Sequence, residues 1–144
     1  MHSRMLLPLS LAWLTCLIAQ TATSQILEQN LELFQDANPG IRIYEQDDRV
    51  SMFYGAPFSG GQTPLHSAWN HINQWQNLYG KDIGTLVPKQ NASGDVLQGV
   101  MANQETGKYK FYTFRFEQTY AGLPVFRSGI GFLVRNEEGN PLVM

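Results

Sequence analysis

The sequence predicts an α+β fold: an antiparallel sheet built from hairpins, with one main amphipathic helix packed on one face. Two stretches carry this prediction. Lys110–Val134 alternates aromatic or β-branched residues with polar ones at a period of two, which is typical of half-buried strands. Thr63–Gly80 instead spaces its apolar residues by three and four, which is the pattern of one helix face.

Residues 1–24 have the pattern of a secretory signal peptide. Arg4 supplies the positive n-region, Leu6–Ala19 is a mostly apolar run, and Ala22-Thr23-Ser24 offers small residues for cleavage. The apolar run is short and interrupted by polar residues, which disfavours a membrane span, although a non-cleaved anchor is the alternative. The expected location is secreted, extracellular or periplasmic, without membrane attachment after cleavage.

Composition narrows the function classes further. The single cysteine, Cys16, lies inside the segment expected to be removed, so the exported product must be stabilised by packing without disulfides. About 120 residues suffice for one such core. Removing Arg4 leaves nine basic against twelve acidic residues with no basic block, which argues against nucleic acid and anionic membrane as partners.

Residues 25–50 are expected to form a lead-in to the main domain. Gln25–Asn38 has apolar residues at helical spacing before Asn38-Pro39-Gly40, which predicts a helix of marginal stability. Ile41–Tyr44 and Val50–Tyr54 flank an acidic connection and predict a first hairpin.

The main α+β domain is expected to span residues 51–144 and to contain the principal helix. Thr63 is placed to cap the helix, Pro64 suits its first position, and Gly80 is placed to end it. Large apolar side chains on one face of the helix are expected to dock onto the sheet. This stripe consists of Leu65, Ala68, Trp69, Ile72, Trp75 and Tyr79.

The remaining connections are less regular. Lys89–Asp95 is rich in turn residues, and Val96–Met101 predicts a short strand. Asn91-Ala92-Ser93 is a glycosylation sequon, a pattern that is often a chance match in a polar loop. Pro141–Met144 begins a new apolar strand after a turn. Because an unpaired strand edge is unfavourable, we expect the chain to be a piece of a longer precursor, truncated within this domain.

Lys110–Val134 is predicted to form the central hairpin. Ala121-Gly122 suits a tight turn, and Pro124, which cannot donate a ladder hydrogen bond, indicates an edge or bulge where the second arm begins. Gly129 and Gly131 indicate a bulge or a close backbone approach. Gln118 interrupts the apolar face. That face consists of Tyr112, Phe114, Phe116 and Tyr120 in the first arm and Phe126, Ile130, Phe132 and Val134 in the second.

No constellation in the sequence supports chemistry. His66 and His71 are five residues apart and would lie about 140° apart on a helix, so solvent-edge positions are expected for both. Zinc peptidases instead place two histidines four apart beside a glutamate. Asp47-Asp48 and Glu137-Glu138 are expected to be solvated pairs, and no motif places a Ser or Cys nucleophile. We therefore expect no catalytic, cofactor-binding or metal-binding residue.

The hairpin turn carries a resemblance to a known family. Phe116–Phe126 resembles the aromatic-x-Gln-x-Tyr-x-Gly-aliphatic-Pro-Val signature of the fungalysin/thermolysin propeptide family, with looser similarity back to about Ser51. Ala121 stands where an Asn is common in the family. Gln118 and Tyr120 are expected either to brace the turn or to shape a contact surface. The motif residues are Phe116, Gln118, Tyr120, Gly122, Pro124 and Val125.

The resemblance implies a module in the precursor of a secreted zinc metallopeptidase, which inhibits that enzyme and assists its folding by stoichiometric binding. Zinc would belong only to the downstream domain, and that domain would be the partner. A sheet edge or hairpin would lie along the protease cleft and exclude substrate. The alternative is an extracellular interaction module with no attached protease, and a third interpretation is an enzyme in its own right. A His-Glu-x-x-His motif downstream of Met144 would favour the first.

The signal-peptide pattern generates a direct prediction. N-terminal sequencing of the exported protein is expected to begin at or near Gln25, because the small residues Ala22 and Ser24 occupy the positions that signal peptidase requires. A product that retains Met1–Leu17 in a membrane fraction would contradict it.

Overall fold

The computed structural model describes residues 27–46, 49–79 and 83–144, and these form an α+β structure with antiparallel sheets, which confirms the predicted fold class. Three predictions lie outside the described residues: the signal peptide, the Asp47-Asp48 pair and the helix-ending Gly80.

The elements follow one another with short connections. The helices are α1 (27–37) and α2 (Pro64–Gln74), with single 3₁₀ turns at Gln76–Leu78 and Ile83–Thr85. The strands are β1 (Arg42–Gln46), β2 (Arg49–Tyr54), β3 (Ser59–Gly60), β4 (Leu86–Pro88), β5 (Gln98–Ala102), β6 (Tyr109–Tyr120), β7 (Leu123–Pro124), β8 (Ile130–Arg135) and β9 (Leu142–Val143).

Strand β6 is the centre of the larger, seven-stranded sheet, in which five strands follow the order β3-β9-β8-β6-β4 and the other two, β5 and β7, also pair with β6. One edge of β6 pairs with β8, from Phe111 opposite Arg135 to Phe116 opposite Ile130. Strands β5 and β4 pair with its other edge, and β7 pairs with its last two residues. The predicted first hairpin is confirmed as β1–β2, which forms a separate two-stranded sheet.

Helix α2 packs on one face of the larger sheet, as its apolar stripe predicts. Ala68 and Ile72 are fully buried in one cluster with Phe116 and Val134, and Trp69 packs against that cluster. The cap is also confirmed, because the Thr63 hydroxyl accepts a hydrogen bond from the amide of His66 at 3.2 Å. The helix ends at Gln74, earlier than predicted, because the chain tightens into a 3₁₀ turn there.

That 3₁₀ turn directs Leu78 into a second cluster with Phe34 and Ile41. Phe34 of the predicted marginal helix is fully buried, and its ring meets Phe53 and Trp75 edge-on at centroid distances of 4.7 and 5.0 Å. The lead-in therefore contributes to a core. The domain boundary predicted after residue 50 falls within strand β2.

The C-terminal strand β9 is paired on both edges, with β8 on one side and β3 on the other. The unpaired edge expected for it is therefore a wrong prediction. Ser67 lies on the buried face of α2, and its hydroxyl donates to the carbonyl of Pro141 at 2.5 Å, which ties the helix to the approach of β9. Such a long-range contact has no signature in the local sequence.

Residues 83–107 are more ordered than the sequence suggests. The turn at 89–95 is confirmed, and Asn91 organises it by accepting hydrogen bonds from the amides of Ser93 and Asp95, both at 2.9 Å. The strand predicted at Val96–Met101 is found at Gln98–Ala102. Strand β4 was not predicted, because three residues ending in Pro88 are too few to show a period of two.

Trp69 tests the packing of α2 on the sheet. Its ring meets that of Phe116 edge-on at a centroid distance of 4.6 Å. Trp69→Ala is therefore expected to lower the free energy of unfolding by roughly 3–5 kcal/mol, measured by urea denaturation. Gln74→Ala, at an exposed position of the same helix, is the control and should change it by less than about 0.5 kcal/mol. Equal effects of the two changes would contradict the packing.

Candidate functional site

The tip of the central hairpin, defined here as residues 118–128, presents large apolar side chains to solvent. Tyr120 is 80% exposed, Leu123 72% and Phe126 86%, and Val125 is also exposed. Isolated exposed apolar residues are ordinary, whereas several large ones within one short segment make that segment a candidate interaction surface.

The turn at the tip has the backbone of a tight hairpin. Tyr120 lies opposite Leu123, which leaves Ala121 and Gly122 as the two turn residues. Both have positive φ, 48° and 80°, as a two-residue turn of the primed class requires. Gly122 adopts this conformation freely, whereas for Ala121 it costs roughly 1–2 kcal/mol. The turn predicted at these residues is confirmed.

Beyond Pro124 the second arm leaves the ladder, as its proline predicts. Three residues lie between Phe116 and Tyr120 on the first arm, but six lie between their partners Ile130 and Leu123, so the second arm has three extra residues. This insertion turns Phe126 outward, and its placement on the buried face was a wrong prediction.

A hydrogen-bonded clamp holds the extra residues in place. Ser128 is buried, and its hydroxyl donates to the carbonyl of Val125 at 2.8 Å and accepts from the amide of Gln118 at 3.3 Å. The Val125 amide donates to the Gln118 carbonyl at 2.8 Å. Gly129 follows, where a Cβ would lie 2.7 Å from the Phe116 carbonyl oxygen, which confirms the predicted close approach.

The six motif residues therefore divide into two groups. Phe116 is fully buried, and Gln118 is half-buried opposite Leu86 and braces the tip through its main chain. Tyr120, Gly122, Pro124 and Val125 are exposed. The Tyr120 ring does not brace the turn, because it extends into solvent. Phe126 and Arg127 join this exposed group, with the Arg127 guanidinium 5.2 Å from the Phe126 ring centroid.

The two helix histidines lie in different environments. His66 is exposed, as predicted, and its Nδ1 lies 3.4 Å from the Gln62 amide that donates to it. His71 is fully buried, which contradicts its predicted solvent-edge position. Its Nε2 forms a hydrogen bond with the Tyr79 hydroxyl, and burial lowers the pKa of His71 from 6.5 to about 4. One feature of the sequence indicates this burial: His71 adjoins Ile72, which belongs to the apolar stripe.

The other predicted ionic features occupy the surface. Glu137 is exposed, as expected, and also forms an ion pair with Arg135 at 2.5 Å. A pair this close to the surface contributes little stability. No group of three or more His, Cys, Asp or Glu side chains that could hold a metal ion occurs in the part of the chain that the structure describes.

A groove of about 270 Å³ runs between β2 and β8. It is lined mainly by backbone and apolar side chains, among them Met52, Phe53, Phe58 and Ile130. Tyr79 also lines it, and burial raises the pKa of that phenol, which keeps it neutral. The described lining thus offers no acid–base pair for proton transfer.

The clamp generates a prediction about the tip. Ser128→Ala removes both hydroxyl bonds and leaves the Val125 carbonyl and the Gln118 amide without that partner. We expect it to lower the free energy of unfolding by about 1–3 kcal/mol. Gln118→Ala is the matched control, since it keeps both main-chain bonds and should cost less. Chemical denaturation measures both changes, and a larger loss in Gln118→Ala would show that the Gln118 side chain is the brace.

Among the described residues, no helix is long and apolar enough to cross a membrane. The chain matches no protein-family model, no curated protein and no solved structure.

Proposed function

We propose that this chain is a propeptide-like module that binds a downstream secreted zinc metallopeptidase stoichiometrically, inhibiting it, assisting its folding, or both. One observation carries the proposal. The residues that resemble the propeptide signature are also those that the fold holds outward: Tyr120, Pro124 and Val125 lie at an exposed tip while Phe116 anchors it in the core.

The tip has the physical properties of a binding element. Tyr120, Leu123 and Phe126 offer large apolar surfaces whose transfer from water into a cleft is favourable by roughly 25 cal/mol for each Å² buried. The Ser128 clamp fixes the backbone before binding, so little conformational entropy is lost on association. A narrow, rigid, apolar hairpin is well suited to occupy a protease cleft.

The strand at the tip adds main-chain recognition. Among the described strands, β7 pairs only with β6, so its other edge is open to strand addition. Pro124 has no amide hydrogen, which limits this edge to few hydrogen bonds and leaves side-chain contacts to supply most of the affinity. The exposed Arg127 adds a positive charge beside Phe126 and favours a partner surface with acidic groups.

The experiment uses the metallopeptidase encoded downstream in the same precursor, supplied in trans. Leu123→Ser with Phe126→Ser is expected to weaken inhibition at least about tenfold, because large apolar anchors at the centre of an interface contribute most of its affinity. Leu33→Ser, at a leucine of α1 that is 59% exposed, is the matched control and should inhibit like wild type. Inhibition constants and thermal unfolding are measured for all three proteins.

The outcomes separate the two candidate functions. A wild-type module that folds but neither inhibits the protease nor assists its refolding rules out the propeptide proposal. The absence of a downstream His-Glu-x-x-His motif would have the same meaning. In either case the extracellular interaction module takes its place, with the same tip as its contact surface.

A further inference from the structure

His71 lies where the two cores of the molecule meet. Its imidazole is fully buried and meets five aromatic rings. The ring centroid is 4.8 Å from that of Phe58, 5.7 Å from Phe34, 5.7 Å from Tyr79, 6.0 Å from Phe132 and 6.4 Å from Phe53. Phe132 belongs to the core under α2, whereas Phe34 and Phe53 belong to the second cluster.

The hydrogen bonds of this imidazole leave no place for a second proton. Nε2 bonds to the Tyr79 hydroxyl, and Nδ1 is buried without a hydrogen-bond partner among the described residues. Whichever tautomer is present, the protonated ring would place an N–H group at Nδ1 with no acceptor. Burying such a charged donor is strongly unfavourable.

The described rings that meet His71 carry no compensating charge. The phenylalanine rings come from helix α1 (Phe34), strand β2 (Phe53), the segment after it (Phe58) and strand β8 (Phe132). The residue after the 3₁₀ turn contributes the Tyr79 phenol. Burial raises the pKa of Tyr79, so the phenol stays neutral. The ion pairs of the described residues are Lys89–Glu117 and Arg135–Glu137, and neither involves His71.

His71 lies at the contact between two parts of the molecule that no described strand pairing connects. We define the N-terminal layer as α1, β1 and β2, that is, the described residues 27–46 and 49–54. Strands β1 and β2 pair only with each other among the described strands, so no described sheet ladder joins them to the larger sheet. The layer is attached through side chains of the second cluster, and the His71 ring touches both that cluster and Phe132. A charge placed here acts directly on the attachment.

We propose that His71 makes the contact between the N-terminal layer and the larger sheet with its helix α2 acid-labile, so that mild acid opens the layer while β6 and β8 stay paired. This regulation does not depend on the proposed protease partner. It concerns the stability of the module itself, and it would apply equally to an interaction domain.

The sign and size of the effect follow from linkage. The pKa of His71 is about 4 when the ring is buried and 6.5 in its ordinary state. Between these values the imidazole is therefore protonated when the layer is open and neutral when it is closed. The free energy by which neutral His71 favours the closed layer is therefore fully present above about pH 6.5 and is lost as the pH falls toward 4. Between pH 7 and pH 5 the equilibrium constant for opening should rise roughly 20-fold.

The test is amide hydrogen exchange on the full-length chain at pH 7 and pH 5, expressed as protection factors. In the wild type, protection in β1 and β2 is expected to fall roughly 20-fold while that in β6 changes far less. The double variant His71→Phe, Tyr79→Phe removes both polar partners together, which keeps the packing apolar. In that variant, the fall in protection of β1 and β2 between pH 7 and pH 5 should no longer exceed that of β6. His66→Gln is the matched control at an exposed histidine and should behave like wild type.

Three outcomes would overturn the proposal. An equal loss of β1–β2 protection in the wild type and the double variant would show that other groups cause it. A simultaneous loss of protection in β6 would show that acid unfolds the whole module and does not open the N-terminal layer alone. If the double variant fails to fold, the His71 imidazole titration in the wild type decides by NMR: a midpoint at or above 6.5 would show that the aromatic rings stabilise the imidazolium.

Discussion

The burial of Phe116 beneath helix α2 is the contact on which the rest of the structure depends. Its ring is fully enclosed, with Trp69 of the helix at 4.6 Å and Phe132 of β8 at 5.7 Å between centroids. Its backbone lies within β6, opposite Pro88 on one edge and Ile130 on the other. One residue thus joins helix, core and sheet, and its carbonyl limits the space at Gly129 where the tip begins.

The hairpin tip combines features that are locally unfavourable. Ala121 adopts a positive φ, and Phe126 and Tyr120 leave large rings in water. A buried serine hydroxyl and three extra residues maintain this arrangement. Proteins depart from local preference chiefly at functional sites, where a binding requirement compensates for the lost stability. The departures coincide here with the sequence motif, which supports assigning the contact surface to the tip.

The stability of the module depends on aromatic packing, since the exported product expected from the sequence has no cysteine. The second cluster places Phe34, Phe53 and Trp75 around the end of α2, and the imidazole of His71 is included among them. A buried histidine packs as an aromatic ring at neutral pH and becomes a buried charge in acid. The same residue can therefore stabilise the layer under one condition and release it under another.

The sequence by itself determined the elements that carry strong periodicity: α2 from its stripe and its Thr63 cap, the β6 hairpin from its alternation, and the turn from Gly122. These depend on local preferences that each residue expresses in its own segment. Only the tertiary structure decided what depends on distant partners. The insertion that exposes Phe126, the pairing of β9 with β3, and the burial of His71 between two clusters are set by register and packing across the chain. A histidine at the border of an apolar stripe is compatible with either environment, and the rings that meet it come from α1, β2 and β8, far from it in sequence.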